Sequence, residues 1–165
     1  MDVVVLGLGN ILLGDEGVGV RAVERLAARY TLALEVTVMD GGTAGMDMLD
    51  LLAGRDHVVV VDAVHAEGPP GTVVRLAGDD VPAFFRTRIS PHQLGLSELL
   101  AALELMGESP GGLTLIGVVP EDLDGGLELT ATVAGTVDTL VALTVAELDR
   151  LGLMPSRKAA RAPAA

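Results

Sequence analysis

The sequence predicts an α/β protein, a single-domain three-layer sandwich in which a mostly parallel, twisted sheet of about five strands, one of them antiparallel, carries helices on both faces. Three observations lead there. The chain has 165 residues, the size of one domain with one core. Short apolar runs rich in Val alternate with stretches whose apolar residues recur at helical spacing, the pattern of strands buried on both faces and joined by crossover helices. One further strand-like run follows its predecessor after too few residues for a crossover, so it has to run antiparallel.

Taken in order, Val3 to Leu8 is a continuous apolar run followed by a glycine-punctuated loop, and reads as a buried strand. After Gly17, the residues Val18, Val20, Ala22, Val23, Leu26 and Ala27 share one helical face and Arg21, Glu24, Arg25 and Arg29 the other. Leu34 to Met39 is a second strand, the tetrapeptide Asp40-Gly41-Gly42-Thr43 a turn, and Met46, Leu49, Leu52 and Ala53 a short helix ending near Gly54. His57 to Ala63 is the third strand, and Thr72 to Leu76 the antiparallel one, placed as a hairpin. Ser90-Pro91-His92-Gln93 reads as a helix start, with Ser as N-cap and Pro in the first turn, of a helix running to about Gly107. Leu113 to Val119 is another strand, and Thr130 caps a last helix carrying Val133, Val137, Leu140, Val141, Val145 and Leu148. The domain spans 1–154; residues 155–165, rich in Ala, Pro and basic side chains, read as a disordered tail.

Composition removes several classes of function. Net charge is −12 and only 2% of residues are aromatic, which repels phosphate backbones and leaves little for base stacking, so neither nucleic acid nor an anionic membrane is an expected partner. There is no cysteine, so disulfides, thiolate metal sites and cysteine nucleophiles are excluded. The apolar run near the N-terminus has no basic segment before it and is broken by glycines long before the ~18 residues of a membrane span, and a cytoplasmic location is expected.

In sheets of this kind the functional crevice lies beyond the carboxyl ends of the strands. Gly7-Leu8-Gly9 opens like a dinucleotide fingerprint, but Leu12 stands where the third glycine belongs, and Asp15-Glu16 stands where a phosphate loop needs Lys-Ser/Thr. Asp15 and Glu16 sit instead at the start of the first helix, where the dipole favours anions; complementing that dipole is the ordinary role for either. Four valines, Val58 to Val61, aim Asp62 at the same sheet edge, where a cap or turn acceptor is the alternative. His92 lies in the first turn of its helix, where the dipole disfavours imidazolium and leaves a neutral ring able to donate a lone pair. His57 and His65 are expected to face solvent. Glu16, Asp62 and His92 thus converge from three loops, and two carboxylates with one imidazole suit a divalent metal with open positions. The loop of Asp40 adds paired glycines that allow close approach of a peptide.

These segments, GLGNILLGDEGVG, DGGTAG, VVVVDA and SPHQLGL in that order, resemble those of the hydrogenase maturation proteases over about residues 2–150. The resemblance implies an endopeptidase that removes a short C-terminal extension from the large-subunit precursor of a nickel-iron hydrogenase after nickel has been inserted. It implies that Glu16, Asp62 and His92 recognise that nickel, which the precursor supplies, and that Asp40 takes part in cleavage or substrate placement. No Ser/His/Asp set, no His-Glu-x-x-His helix and no cysteine supports a standard protease mechanism. Two other readings stay open at this point: a nickel-binding or chaperone-like module that does not cut, and a hydrolase that holds its own zinc. A monomer is expected.

Overall fold

The computed structural model describes residues 1–43, 45–87 and 91–159, with Pro91, His92 and Gln93 as backbone only. Strand β1 (Val3–Leu8) leads through a 3-10 turn (Gly14–Gly17) into α1 (Val18–Arg29), followed by β2 (Tyr30–Thr31), β3 (Val36–Gly42), a 3-10 turn (Met46–Met48) and α2 (Leu49–Leu52). Then come β4 (His57–Ala63), β5 (Val73–Ala77), α3 (Asp80–Thr87), α4 (Pro91–Met106), β6 (Leu113–Val118), α5 (Ala131–Ala134), α6 (Val137–Arg150) and β7 (Ser156–Arg157). The main sheet has the order β3-β1-β4-β6-β5. Its first four strands are parallel and β5 is antiparallel to β6.

The Val-rich runs take this form because every residue of β1, β4 and β6 is buried and alternation sends successive side chains to opposite layers. Val3, Val5, Val59, Val61, Ile116 and Val118 meet α1 and α6 on one face. Val4, Leu6, Val58, Val60 and Leu115 meet α2, α3 and α4 on the other. Ala131–Arg150 is long and apolar enough to cross a bilayer by composition, yet Val137, Leu140, Val141 and Leu148 of α6 are buried against the sheet. Helix α1 lies unusually close to β1 and β4, because a Cβ on Gly19 would stand 2.1 Å from the Val61 carbonyl oxygen and 2.4 Å from that of Leu8. The close helix approach that a dinucleotide fingerprint assigns to its third glycine is supplied here by Gly19.

Several expectations need correction. The Thr72–Leu76 run is antiparallel, but β6 lies between it and β4, so it is no hairpin with β4; a short connection limits direction without dictating adjacency. The tetrapeptide Asp40 to Thr43 is not all turn: Asp40 to Gly42 belong to β3, with a register shift opposite Gly7 and Leu8, and the following 3-10 turn starts from Gly45 without a side-chain cap. Helix α3 is an addition to the expected elements: Val81, Phe84 and Phe85 have helical spacing and Pro82 sits in the first turn, where its missing N–H costs nothing. Thr130 caps α5, accepting from Val133 N–H at 3.3 Å, and the helical run then restarts at Val137. The tail does not begin disordered: Ser156 and Arg157 pair antiparallel with Thr31 and Tyr30, and Lys158 Nζ donates to the Ala27 carbonyl at 2.7 Å. Ser90 and residues 160–165 lie outside the described residues.

His57 is also corrected, being 8% exposed rather than solvent-facing. Its Nε2 is 2.9 Å from Thr114 Oγ1, which donates to Glu147 Oε1 at 2.9 Å. Glu147, 2% exposed, also receives Arg75 Nη2 at 2.6 Å and Arg150 Nη2 at 2.5 Å. Burial pushes the Glu147 carboxyl up, but hydrogen bonds from Arg150, Arg75 and Thr114 and the Arg75 charge outweigh it and hold it at about 2. Burial likewise lowers the His57 pKa, the Glu147 charge opposing it. A carboxyl lowered on folding stabilises the fold above its unfolded value of 4.5 and loses that contribution as pH falls towards 2. Glu147→Gln should cost about 2–3 kcal/mol at neutral pH, and its urea midpoint should fall less steeply than the wild type's between pH 4.5 and 2; parallel curves would remove Glu147 from the acid response. This cluster lies at the amino end of β4 and β6, away from the edge described next.

Candidate functional site

The loops after β1, β3, β4 and β6 meet at the carboxyl edge of the sheet. The loop after β1 is shaped by Gly9 (φ +120°), where a Cβ would stand 1.6 Å from the Glu16 carbonyl oxygen; the backbone of Glu16 is laid directly on the end of β1. The Gly14–Gly17 turn packs against β4, whose penultimate residue is Asp62. Glu16 is 9% exposed and Asp62 fully buried. Val58 and Val60 face the α4 layer, so strand alternation turns Asp62 to that layer as well, and α4 begins at Pro91 and His92. The structure therefore brings the segments carrying Glu16 and Asp62 together at the β1–β4 crossing. The side chain of His92 lies outside the described residues; its backbone is in the first turn of α4. Among the described residues no group of three or more His, Cys, Asp or Glu could hold a metal ion, so a three-donor set rests on His92.

Asp40 is placed differently. It is level with Gly7 on the far side of β1 from β4, two strand spacings or about 10 Å from Asp62. It is exposed, and its Oδ1 accepts from Gly42 N–H at 2.8 Å, an Asx turn. Among the described residues its Oδ2 has no hydrogen-bond partner.

Asp15 and Glu16, alike in the sequence, separate completely. Asp15 is fully buried, and its carboxylate accepts from Glu121 N–H (2.9 Å), Asp122 N–H (3.1 Å), Thr130 N–H (2.8 Å) and Thr130 Oγ1 (2.9 and 3.1 Å). Backbone bonds Gly14 N–H to Gly126 O (2.8 Å) and Gly126 N–H to Leu12 O (2.9 Å) extend the seam. Asp15 thus fastens the 120–130 loop to the loop that carries Glu16, a structural role that nothing in the sequence separates from ligation. The sequence also gave no sign of the open space of about 500 Å³ beside this seam, lined by His65, Ala66, Thr87, Val119, Pro120, Glu121 and Leu123. His65 is exposed there, as expected.

An α/β domain with carboxylates gathered at the carboxyl edge and a chain-wide run of family segments defines a class, and comparison with known proteins names it. The model of the family described as hydrogenase maturation protease matches residues 20–147, and the chain belongs to that family. It is 47% identical over 154 residues to the hydrogenase 2 maturation protease of Escherichia coli K12, covering 93% of this chain and 94% of that protein. It is 44% identical to the hydrogenase expression/formation protein HupD of Rhodobacter capsulatus, covering 92% and 73%. Among solved structures, the hydrogenase maturating endopeptidase HybD from E. coli superposes with a TM-score of 0.92 at 46% identity, covering 96% of this chain and 98% of that one. The [NiFe] hydrogenase maturation protease HybD from Thermococcus kodakarensis superposes with a TM-score of 0.70 at 28% identity, covering 92% and 99%. The chain is accordingly a hydrolase, an endopeptidase whose partners are hydrogenase precursors.

Proposed function

We propose that this endopeptidase removes the C-terminal extension of a nickel-iron hydrogenase large-subunit precursor after nickel insertion, acting in the cytoplasm as a monomer. Nickel arrives as part of the substrate, and Glu16, Asp62 and His92 complete its coordination. The observation that carries this reading is the pair of buried carboxylate residues, Glu16 and Asp62, on segments packed together at the carboxyl edge of the sheet; His92 is in the first turn of α4. Two oxygen donors and one nitrogen donor suit a divalent ion that keeps its other ligands from the client. The bound nickel would serve as a template, anchoring the precursor on Glu16, Asp62 and His92 so that the scissile bond reaches Asp40, about 10 Å away.

Within the chain, Glu16 and Asp62 orient the precursor and Asp40 is the base. Its Oδ1 is held by the Gly42 N–H, which fixes the exposed carboxylate, and Oδ2 would take the proton from water. Asp40→Asn preserves the turn bond through its amide oxygen and removes the base, so the variant should bind precursor normally and cleave at least ~100-fold more slowly. Near-normal cleavage would return Asp40 to the role of a turn residue.

Mass measurement after incubation with nickel-loaded and nickel-free precursor tests the whole reading. Loss of the extension only from the loaded form is the expected result. Binding without cleavage would indicate a chaperone-like module. Nickel-independent cleavage with zinc retained through purification would indicate a resident-metal hydrolase.

A further inference from the structure

Strand β3 is an edge of the sheet, and its outward backbone groups run straight into Asp40. Val3 N–H donates to the Glu35 carbonyl at 2.9 Å, and Val3, Val5 and Gly7 stand opposite Val36, Val38 and Asp40. In a parallel ladder a residue bonds to the neighbours of its opposite number. Glu35, Thr37 and Met39 therefore turn their backbone groups towards β1, and Val36, Val38 and Asp40 turn theirs away. Among the described residues, the Val36 carbonyl and both backbone groups of Val38 and Asp40 have no hydrogen-bond partner.

The two edges of the sheet are finished differently. At the opposite edge β5 is short, carries Arg75 and has α3 packed beside it. β3 has seven residues, Val-Thr-Val-Met-Asp-Gly-Gly, with neither Lys, Arg nor Pro, and among the described elements only β1 and α1 pack closely on it. Charges, prolines and covering helices are the usual means of stopping an edge from recruiting another strand, and β3 has none of them before Asp40.

We propose that β3 receives the client polypeptide as an added strand, Val36 to Asp40 pairing with an extended segment of the hydrogenase precursor beside the bond to be cut. The inference rests on the endopeptidase reading above and adds how the substrate is held. The occupant has to be an extended chain, because only a strand satisfies alternating N–H and C=O groups. It has to be the client's chain, because this edge is continuous with the proposed site of cleavage: the paired stretch, about 13 Å long, ends on the proposed base. The further ~10 Å to Asp62 is about three residues of extended peptide. Among the described residues, a Cβ at Gly42 (φ +48°) would meet nothing nearer than Asp40 Oδ1 at 3.9 Å, leaving space for the client to turn from the edge towards Glu16 and Asp62.

Val38→Pro is the direct test, with Val38→Ala beside it. Val38 is partly buried against the α1 layer, so both variants give up packing. Only proline removes the outward N–H, and that N–H is not part of the β1 ladder, so an edge proline is compatible with the sheet. With nickel-loaded precursor, Val38→Pro should lower kcat/KM at least about tenfold, as expected for losing a backbone hydrogen bond and adding a steric block, while Val38→Ala stays within about threefold. Equal processing by the two variants would overturn the proposal, as would a wild-type dimer that Val38→Pro dissociates with processing unchanged. If Val38→Pro does not fold, prolines placed one at a time in the precursor around the cleaved bond replace it: losses alternating with period two support strand addition, and any other pattern overturns it. Wild-type protein that leaves the precursor whole would instead refute the endopeptidase reading on which the inference stands.

Discussion

His92→Ala and Asp62→Asn each abolish processing of nickel-loaded precursor while leaving a folded protein. Both are proposed to bind the client's nickel, and losing one of three protein donors leaves the ion held by too few groups to dock the precursor in register. Removing even a group that only supports a metal ligand commonly costs 10–100-fold, so loss of a ligand itself should cost at least about a hundredfold. The substitutions are chosen for their surroundings. Asp62 is fully buried at the end of a valine strand, where Ala would open a cavity as well as remove a charge; Asn keeps the shape. His92 is in the first turn of α4, where Ala is a good helix former. Precursor mass after incubation reports cleavage, and a thermal melt by circular dichroism reports folding. Normal cleavage by either folded variant would remove that residue from the ligand set. A nickel-free precursor should discriminate further: its binding should be unchanged by both substitutions.

The sheet was legible because burial on both faces leaves an unambiguous trace. Val3–Leu8 and His57–Ala63 emerge with the boundaries read from their unbroken apolar runs, and α1 and α6 follow from their one-sided apolar spacing. What failed did so for want of long-range information. That β6 separates β4 from β5 depends on side-chain fit between distant segments. The burial of His57 depends on Glu147, ninety residues on in the chain, and on Thr114 between them. At the site, Glu16 and Asp62 could be paired because one opens a recognisable helix and the other closes a recognisable strand, and an α/β sheet sends all such positions to one edge. The separation of Asp40 from them could not be read, since it depends on β3 lying on the far side of β1. The division of labour between Asp15 and Glu16 was also invisible, because the partners of Asp15 begin 106 residues later.

Asp15→Asn should be nearly as damaging as Asp15→Ala, which is the sharpest statement the seam permits. Every group around this carboxylate is a donor: Oδ2 receives Glu121 and Asp122 N–H and Oδ1 receives Thr130 N–H. An asparagine can offer an oxygen to one side only, and its NH₂ then meets an N–H on the other, leaving at least one buried donor unsatisfied. Either substitution should cost about 3–5 kcal/mol, the usual penalty for breaking a buried, charge-assisted hydrogen-bond set from one side, measured as the shift of the urea midpoint at constant slope. Function should respond beyond stability. The 120–130 loop is fastened to the loop of Glu16 through Asp15, so in a variant still folded at low temperature the loop should detach first, with faster amide exchange at Asp122, Gly126 and Thr130 than in α6. Processing should fall even where the fold persists, because the turn that carries Glu16 then loses its fastening to the 120–130 loop. An Asp15→Asn protein with wild-type stability would show that the donors find water instead, and that the seam fastens nothing.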